Sequence, residues 1–171
     1  MQIAEFQAAK TFIRKLYSNF PISEDAAHVG FVIYGKEPHV VFDLIEHEDK
    51  QNVDSKLLTA TSPISDGNFL GQGLMTAKRS VFDVSARPGG HQVLVILAAG
   101  KSKDDTTVPS RTLRDNGVTI FGIGIGNKVD VNQLRDIVSA PEENNLAITN
   151  LEDLENLLSP TVQNIRKGEL K

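Results

Sequence analysis

The sequence predicts an α/β fold in which a parallel sheet is covered by helices on both faces. Three observations lead there. After an early hairpin, strand-like runs and segments of helical period alternate to the end of the chain. Two of the runs, "VLVILA" and "VTIFGIGIG", are apolar at nearly every position, as strands buried on both faces are. The length of 171 residues suits one domain, 1 to 171, that buries roughly 70 % of its unfolded surface.

The elements follow in order. Ile3, Phe6, Phe12, Ile13 and Leu16 fall near helical spacing, with Lys10, Arg14 and Lys15 on the other side, so the chain opens on an amphipathic helix. "HVGFVIYG" and "HVVFDL" flank "GKEP" and read as a hairpin. Residues 50 to 60 form a short helix, "SPISDG" a loop, and 71 to 85 a longer helix. "RPGGH" breaks the chain before the strand "QVLVILAAG". A helix from 106 to 115 then stops at Gly117, which tolerates the left-handed cap conformation. After the strand "VTIFGIGIG", Asp130 with Gln133 three residues on opens another helix, and "LAIT" is the last strand. Thr149 and Glu152 form a capping-box pattern for a final helix from 150 to 167, leaving 168 to 171 as a loose tail.

Composition narrows the function. With a net charge of -4, nothing favours nucleic acid or an anionic membrane as a partner. The absence of cysteine excludes disulfides and thiolate chemistry. The first 17 residues hold no apolar segment long enough for a signal peptide or membrane span.

Motifs that suggest chemistry have plainer readings. Gly122, Gly124 and Gly126 are spaced GxGxG, not GxGxxG, and sit late in the chain; small residues there let a strand pass close beneath helices. His28, His39, His47 and His91 include no i, i+4 pair, so surface or strand-end roles are expected. "EHED" and "PEE" read as solvated turns, and no serine sits in a GxSxG elbow. In "GKSKDD", Asp104 or Asp105 caps the following helix and the lysines are solvated, or else Lys101 and Lys103 offer charge to a partner.

The stretches "HVGFVIYGKEPHVVFDL", "SDGNFLGQGL", "HQVLVILAAGKSKDD", "LRDNGVTIFGIGIGNKVDVNQLRDIVSAPEE" and "ITNLEDLENL", taken in order, resemble the von Willebrand factor type A (VWA) domain, most closely those of collagen VI alpha chains. The resemblance implies a doubly wound, mostly parallel sheet with one antiparallel edge strand. It also implies a non-enzymatic, secreted protein-binding module of the extracellular matrix, without cofactor or small-molecule substrate, whose partners are other matrix proteins or sister modules.

The departures from the family matter as much. Metal-binding members hold a divalent ion with a DxSxS loop after the first strand, a Thr before a long helix and an Asp at the end of the middle strand. Such a cation demands hard oxygen ligands in near-octahedral array. Here the Thr position falls on Asn68 and the Asp position on Ala99, and the chain begins in the helix that should follow the DxSxS loop. Asp83 and Ser85 share the DxS spacing but end a helix. The expectation is a degenerate metal-ion-dependent adhesion site, with Ser65, Asp66, Asn68, Lys101 and Lys103 as the candidate protein-binding face. The first central strand is expected to be missing from a chain that is a piece of a multi-domain protein, or else to be supplied by another chain. Two other functions stay open: an intracellular assembly scaffold, or a Rossmann-like nucleotide-binding enzyme.

Overall fold

The structure is a computed structural model that describes residues 2–46, 49–61, 67–148 and 151–169. Helix α1 (Ile3–Tyr17) precedes the antiparallel pair β1 (Phe31–Ile33) and β2 (His39–Phe42). Helix α2 (Lys50–Thr59) follows, capped by the Asp49 carboxylate, which accepts the Asn52 amide at 2.9 Å.

The expected long helix runs as α3 (Leu70–Ala77), a π-helical stretch (Lys78–Phe82) and a last turn, α4 (Asp83–Ser85). Asp83 there pairs with Lys78, and Ser85 donates its hydroxyl hydrogen to the Val81 carbonyl and accepts the Leu44 amide, which accounts for both side chains structurally.

Strands β3 (Val93–Ala98), β4 (Thr119–Ile125) and β5 (Asn145–Ile148) form a parallel sheet in the order β3-β4-β5. Helices α5 (Thr107–Asp115) and α6 (Val131–Ile137) make the crossovers. Gly117 ends α5 at φ 85°, as its position after Asn116 predicts. "PEE", expected as a solvated turn, instead lies in the short helix α7 (Pro141–Asn144). The last helix differs too: Leu151–Leu157 is 3₁₀, and α8 (Leu158–Glu169) starts later and extends past residue 167. Thr149, half of the expected capping box, lies outside the described residues, as does His47.

Helices cover both faces of the three-stranded sheet, as predicted. On one face Ile96, Ala98 and Ile120 pack with Leu74, Leu113, Leu134 and Ile137. On the other, Phe121, Ile123 and Ile125 pack with Phe12 of α1 and Val162 and Ile165 of α8. A Cβ at Gly122 would lie 2.7 Å from Val138 and 2.8 Å from Leu134, so this glycine lets α6 approach the strand closely. The glycine-rich run is thus accounted for by packing.

β1 and β2 form a separate sheet, and among the described residues no strand joins it to β3. A third core of Tyr17, Phe42, Val53 and Leu57 fixes that pair to α1 and α2. One residue of α1 corrects the sequence reading. Lys10, placed by pattern on the polar side, is only 5 % exposed, and its Nζ donates to the carbonyls of Leu58 (3.0 Å) and Ala60 (2.8 Å) at the end of α2. The long stem packs while the ammonium satisfies helix-end acceptors.

Candidate functional site

The loops after β1, β3 and β4 meet at one end of the molecule. The Phe69 amide donates to the Gly35 carbonyl at 3.0 Å, and the Lys103 amide to the Asn68 carbonyl at 2.8 Å. Beyond Ala98 the chain turns through Ala99 and Gly100 into "KSKDD", where Ser102 is buried. The Ser102 amide donates to Gln133 Oε1 at 2.7 Å. Its hydroxyl donates to Asp104 at 2.6 Å and accepts the Leu70 amide at 2.9 Å.

Three nearby carboxylates are engaged as caps. Asp105 accepts the amide of Thr107 at 3.0 Å, capping the helix that follows it, as expected. Asp104 instead accepts the amides of Gly71 (2.9 Å) and Gln72 (2.8 Å), capping α3, which lies earlier in the chain. At each helix start the carboxylate satisfies orphan amides and faces the positive end of the helix dipole. The Thr107 amide holds the Asp105 carboxyl below the usual carboxylate range.

Asp130 accepts the Gln133 amide at 3.0 Å and pairs with Lys101 Nζ at 2.8 Å. The Lys101 ammonium, followed by the Gln133 amide, holds the Asp130 carboxyl low. A polar cleft of about 360 Å³ lies among Lys101, Asp104, Asp130 and Gln133.

The candidate face is therefore partly assembled. Asn68, Lys101 and Lys103 share one loop cluster, with Asn68 Nδ2 donating to the Lys101 carbonyl at 2.7 Å. Both lysines are exposed and Asn68 is half-buried. Ser65 and Asp66 lie outside the described residues. Sequence reasoning overlooked Ser102 and Gln133, the two side chains that lock the β3 and β4 loops together; the Asp130 and Gln133 spacing marked the helix start but not the return of the Gln133 side chain to Ser102.

Among the described residues of the loop cluster, no set of carboxylate or imidazole side chains fits a divalent cation. Ala99 presents a methyl group, and Asn68 turns its NH₂ to a carbonyl that can only accept. Among the described residues no three His, Cys, Asp or Glu side chains gather as a metal-binding group. Ala99, Gly100 and Asn68 instead border the upper end of an apolar cavity between β1 and β3.

A parallel sheet wrapped by helices, with loops gathered at the strands' carboxyl ends, defines an α/β module of the kind whose ligands generally bind at that end. The family described as "von Willebrand factor type A domain" matches residues 1–160, and the chain belongs to it. Matrilin-1 of Gallus gallus is 30% identical over 138 residues, 80% of this chain and 28% of that protein. The collagen alpha-4(VI) chain of Mus musculus is 30% identical over 125 residues, 72% of this chain and 5% of that one. Among solved structures, proximal thread matrix protein 1 from the mussel byssus superposes with a TM-score of 0.88 at 22% identity, covering 94% of this chain and 41% of that one. The chain thus spans less than half the length of these relatives. VWA domains in matrix proteins are generally adhesion modules and not enzymes.

Proposed function

We propose that the chain is a non-enzymatic, protein-binding module of a secreted extracellular matrix protein, similar to the VWA modules of collagen VI and part of a longer multi-domain polypeptide. Its role is matrix assembly or cell-matrix adhesion through other matrix proteins or sister modules. Binding runs by surface complementarity at the loop face, without a metal-bridged carboxylate. Asn68, Lys101 and Lys103 form the described part of that face, with Ser65 and Asp66 beside Asn68 in sequence.

The observation that carries this reading is the state of the loop cluster. With a methyl group at Ala99 and the Asn68 amide committed to the Lys101 carbonyl, the end of β3 is a hydrogen-bonded clasp in place of an oxygen cage. The matrix context comes from the relatives, matrilin-1 and a collagen VI chain. Modest affinity per module suits repetition, because linked modules gain avidity without new contacts.

Surface plasmon resonance over immobilised collagen VI, and over the chain itself, tests the reading in Mg²⁺ and again in EDTA. Equal, saturable binding in both buffers is expected, weakened by Lys103→Glu. Binding abolished by EDTA would overturn the metal-free mechanism, and no binding to either surface would overturn the module reading.

A further inference from the structure

The loop end of the molecule carries its charges in two groups. Lys36, Lys103 and Lys128, all exposed, come from the loops after β1, β3 and β4. Backbone contacts gather them round Asn68. The Lys103 amide donates to the Asn68 carbonyl at 2.8 Å. Gly67 lies so close to the Lys36 backbone that a Cβ there would overlap it. A Cβ at Gly100 would lie 3.3 Å from Asn68 Nδ2 and 3.8 Å from the Lys128 carbonyl oxygen. Glu37, next to Lys36, sets one exposed carboxylate against the three ammonium groups.

The second group is the polar cleft of about 360 Å³, lined by Asp104, Asp105, Asp130 and Asp136 with Lys101 as the only cation among its lining residues. None of the other three lysines lines it. Lys101 is the border between the groups: its carbonyl accepts Asn68 Nδ2 at 2.7 Å, and its ammonium meets Asp130 at 2.8 Å. Asp136 enters the cleft from the second turn of α6 and is exposed. Two exposed valines stand one chain position from lining residues, Val108 after Thr107 and Val131 after Asp130. Burying them would add apolar contact to any charge pairing at this face.

We propose that the loop face is a pairing site for a second copy of this chain, in which the lysine group of each copy seats on the carboxylate cleft of the other. A purely acidic partner would suit the lysines and be repelled at the cleft, and a purely basic one the reverse. The whole face is matched only by a surface that carries both signs in the opposite order. A second copy does so by symmetry, because a two-fold axis through the border at Lys101 brings each group over its opposite. Exposed ion pairs are individually weak and screened by salt, so one pair of modules holds loosely, and linked modules gain by avidity. The inference rests on the reading of the loop face as a protein-binding surface and narrows its partner to a sister module.

Sedimentation equilibrium of the whole 171-residue chain tests it. A dimer is expected at about 50 mM salt, with a dissociation constant that rises about tenfold or more at about 500 mM. Lys103→Glu alone and Asp136→Lys alone should each weaken the dimer about tenfold or more, since a two-fold pair loses two contacts for one substitution. An equimolar mixture of the two variants should dimerise again, because in the mixed pair the reversed side chains meet each other and the second contact is that of the parent. Lys128→Glu, on a different loop, repeats the reversal without touching the neighbour of the Asp104 cap. Three results overturn the proposal: a monomer up to about 1 mM protein at low salt; a dimer that none of the reversals weakens; or a mixture no better associated than its separate variants. Binding to immobilised collagen VI is measured alongside. A monomeric chain that still binds collagen VI, and binds it less after Lys103→Glu, overturns self-pairing alone; a chain that does neither overturns the protein-binding reading as well.

Discussion

Leu97 of β3 and Ile123 of β4 are register partners in one ladder and face the same helix layer, yet Ile123 has no exposure while Leu97 is only half-buried. β4 has a neighbour on each edge, and all its residues from Ile120 to Ile125 are buried. Among the described residues β3 has one, and only Ile96 and Ala98 of it are buried. Burial is thus set by the neighbouring strand as much as by the residue. The two sides of the cavity are also held differently. The β3-β4-β5 side rests on apolar layers, whereas α1 and α2, which carry the β1-β2 pair, are joined partly by polar ties: Lys10 to the α2 carbonyls, and Asp54 to Arg14 and Tyr17.

The largest expected effect tests the ladder contrast directly. Ile123→Ala should cost about 3–4 kcal/mol in urea unfolding, the range for a fully buried aliphatic side chain that leaves a cavity. Leu97→Ala should cost about 1–2 kcal/mol, because much of its surface already meets solvent. Equal losses would mean that the β3 edge is covered in solution and the contrast is broken.

Most of the fold was legible because it rests on local signals. The period-2 and period-3.6 patterns, Asp130 as a cap and Gly117 as a stop all act within a few residues of themselves. What escaped the sequence acts at a distance. Asp104 caps a helix 33 residues before it, Lys10 reaches carbonyls 48 and 50 residues away, and Gln133 turns back to Ser102 across 31. No spacing rule encodes such pairs, because only the packed fold brings them together. Of the site, the substitution at Ala99 was readable by resemblance, whereas the clasp that stands there instead was not.

The second effect concerns the polar ties and carries a pH signature. Burial tends to raise the Asp54 carboxyl, but hydrogen bonds from Arg14, Tyr17 and Lys50 outweigh it and hold it below the usual carboxylate range. A carboxylate depressed in the folded state adds stability that is present above its unfolded value, about 3.9, and is lost as pH falls through the folded value. Asp54→Asn should therefore cost about 1.5 kcal/mol at pH 7, the low end for hydrogen bonds to a charged group. The cost should shrink below pH 4. Amide exchange should quicken in α2 and β2 and leave β4 unchanged; equal loosening of β4 would show that the two sides unfold as one unit.

The smallest effect lies at the loop clasp. Lys101 is 68 % exposed in its side chain, so its ion pair with Asp130 competes with water and salt. Removing it by Lys101→Ala leaves the Asp130 cap on the Gln133 amide, the Gln133 bond to Ser102 and the Asp104 cap on α3 all in place. The melting temperature should fall by about 1 °C or less at 150 mM salt. Asp104→Ala, by contrast, takes away the acceptor for two helix-start amides and for the buried Ser102 hydroxyl together, and should lower it by several times as much. If Lys101→Ala proved as damaging as Asp104→Ala, the loop face would depend on its surface ion pair, and its lysine could not be given to a partner without loosening the end of β3.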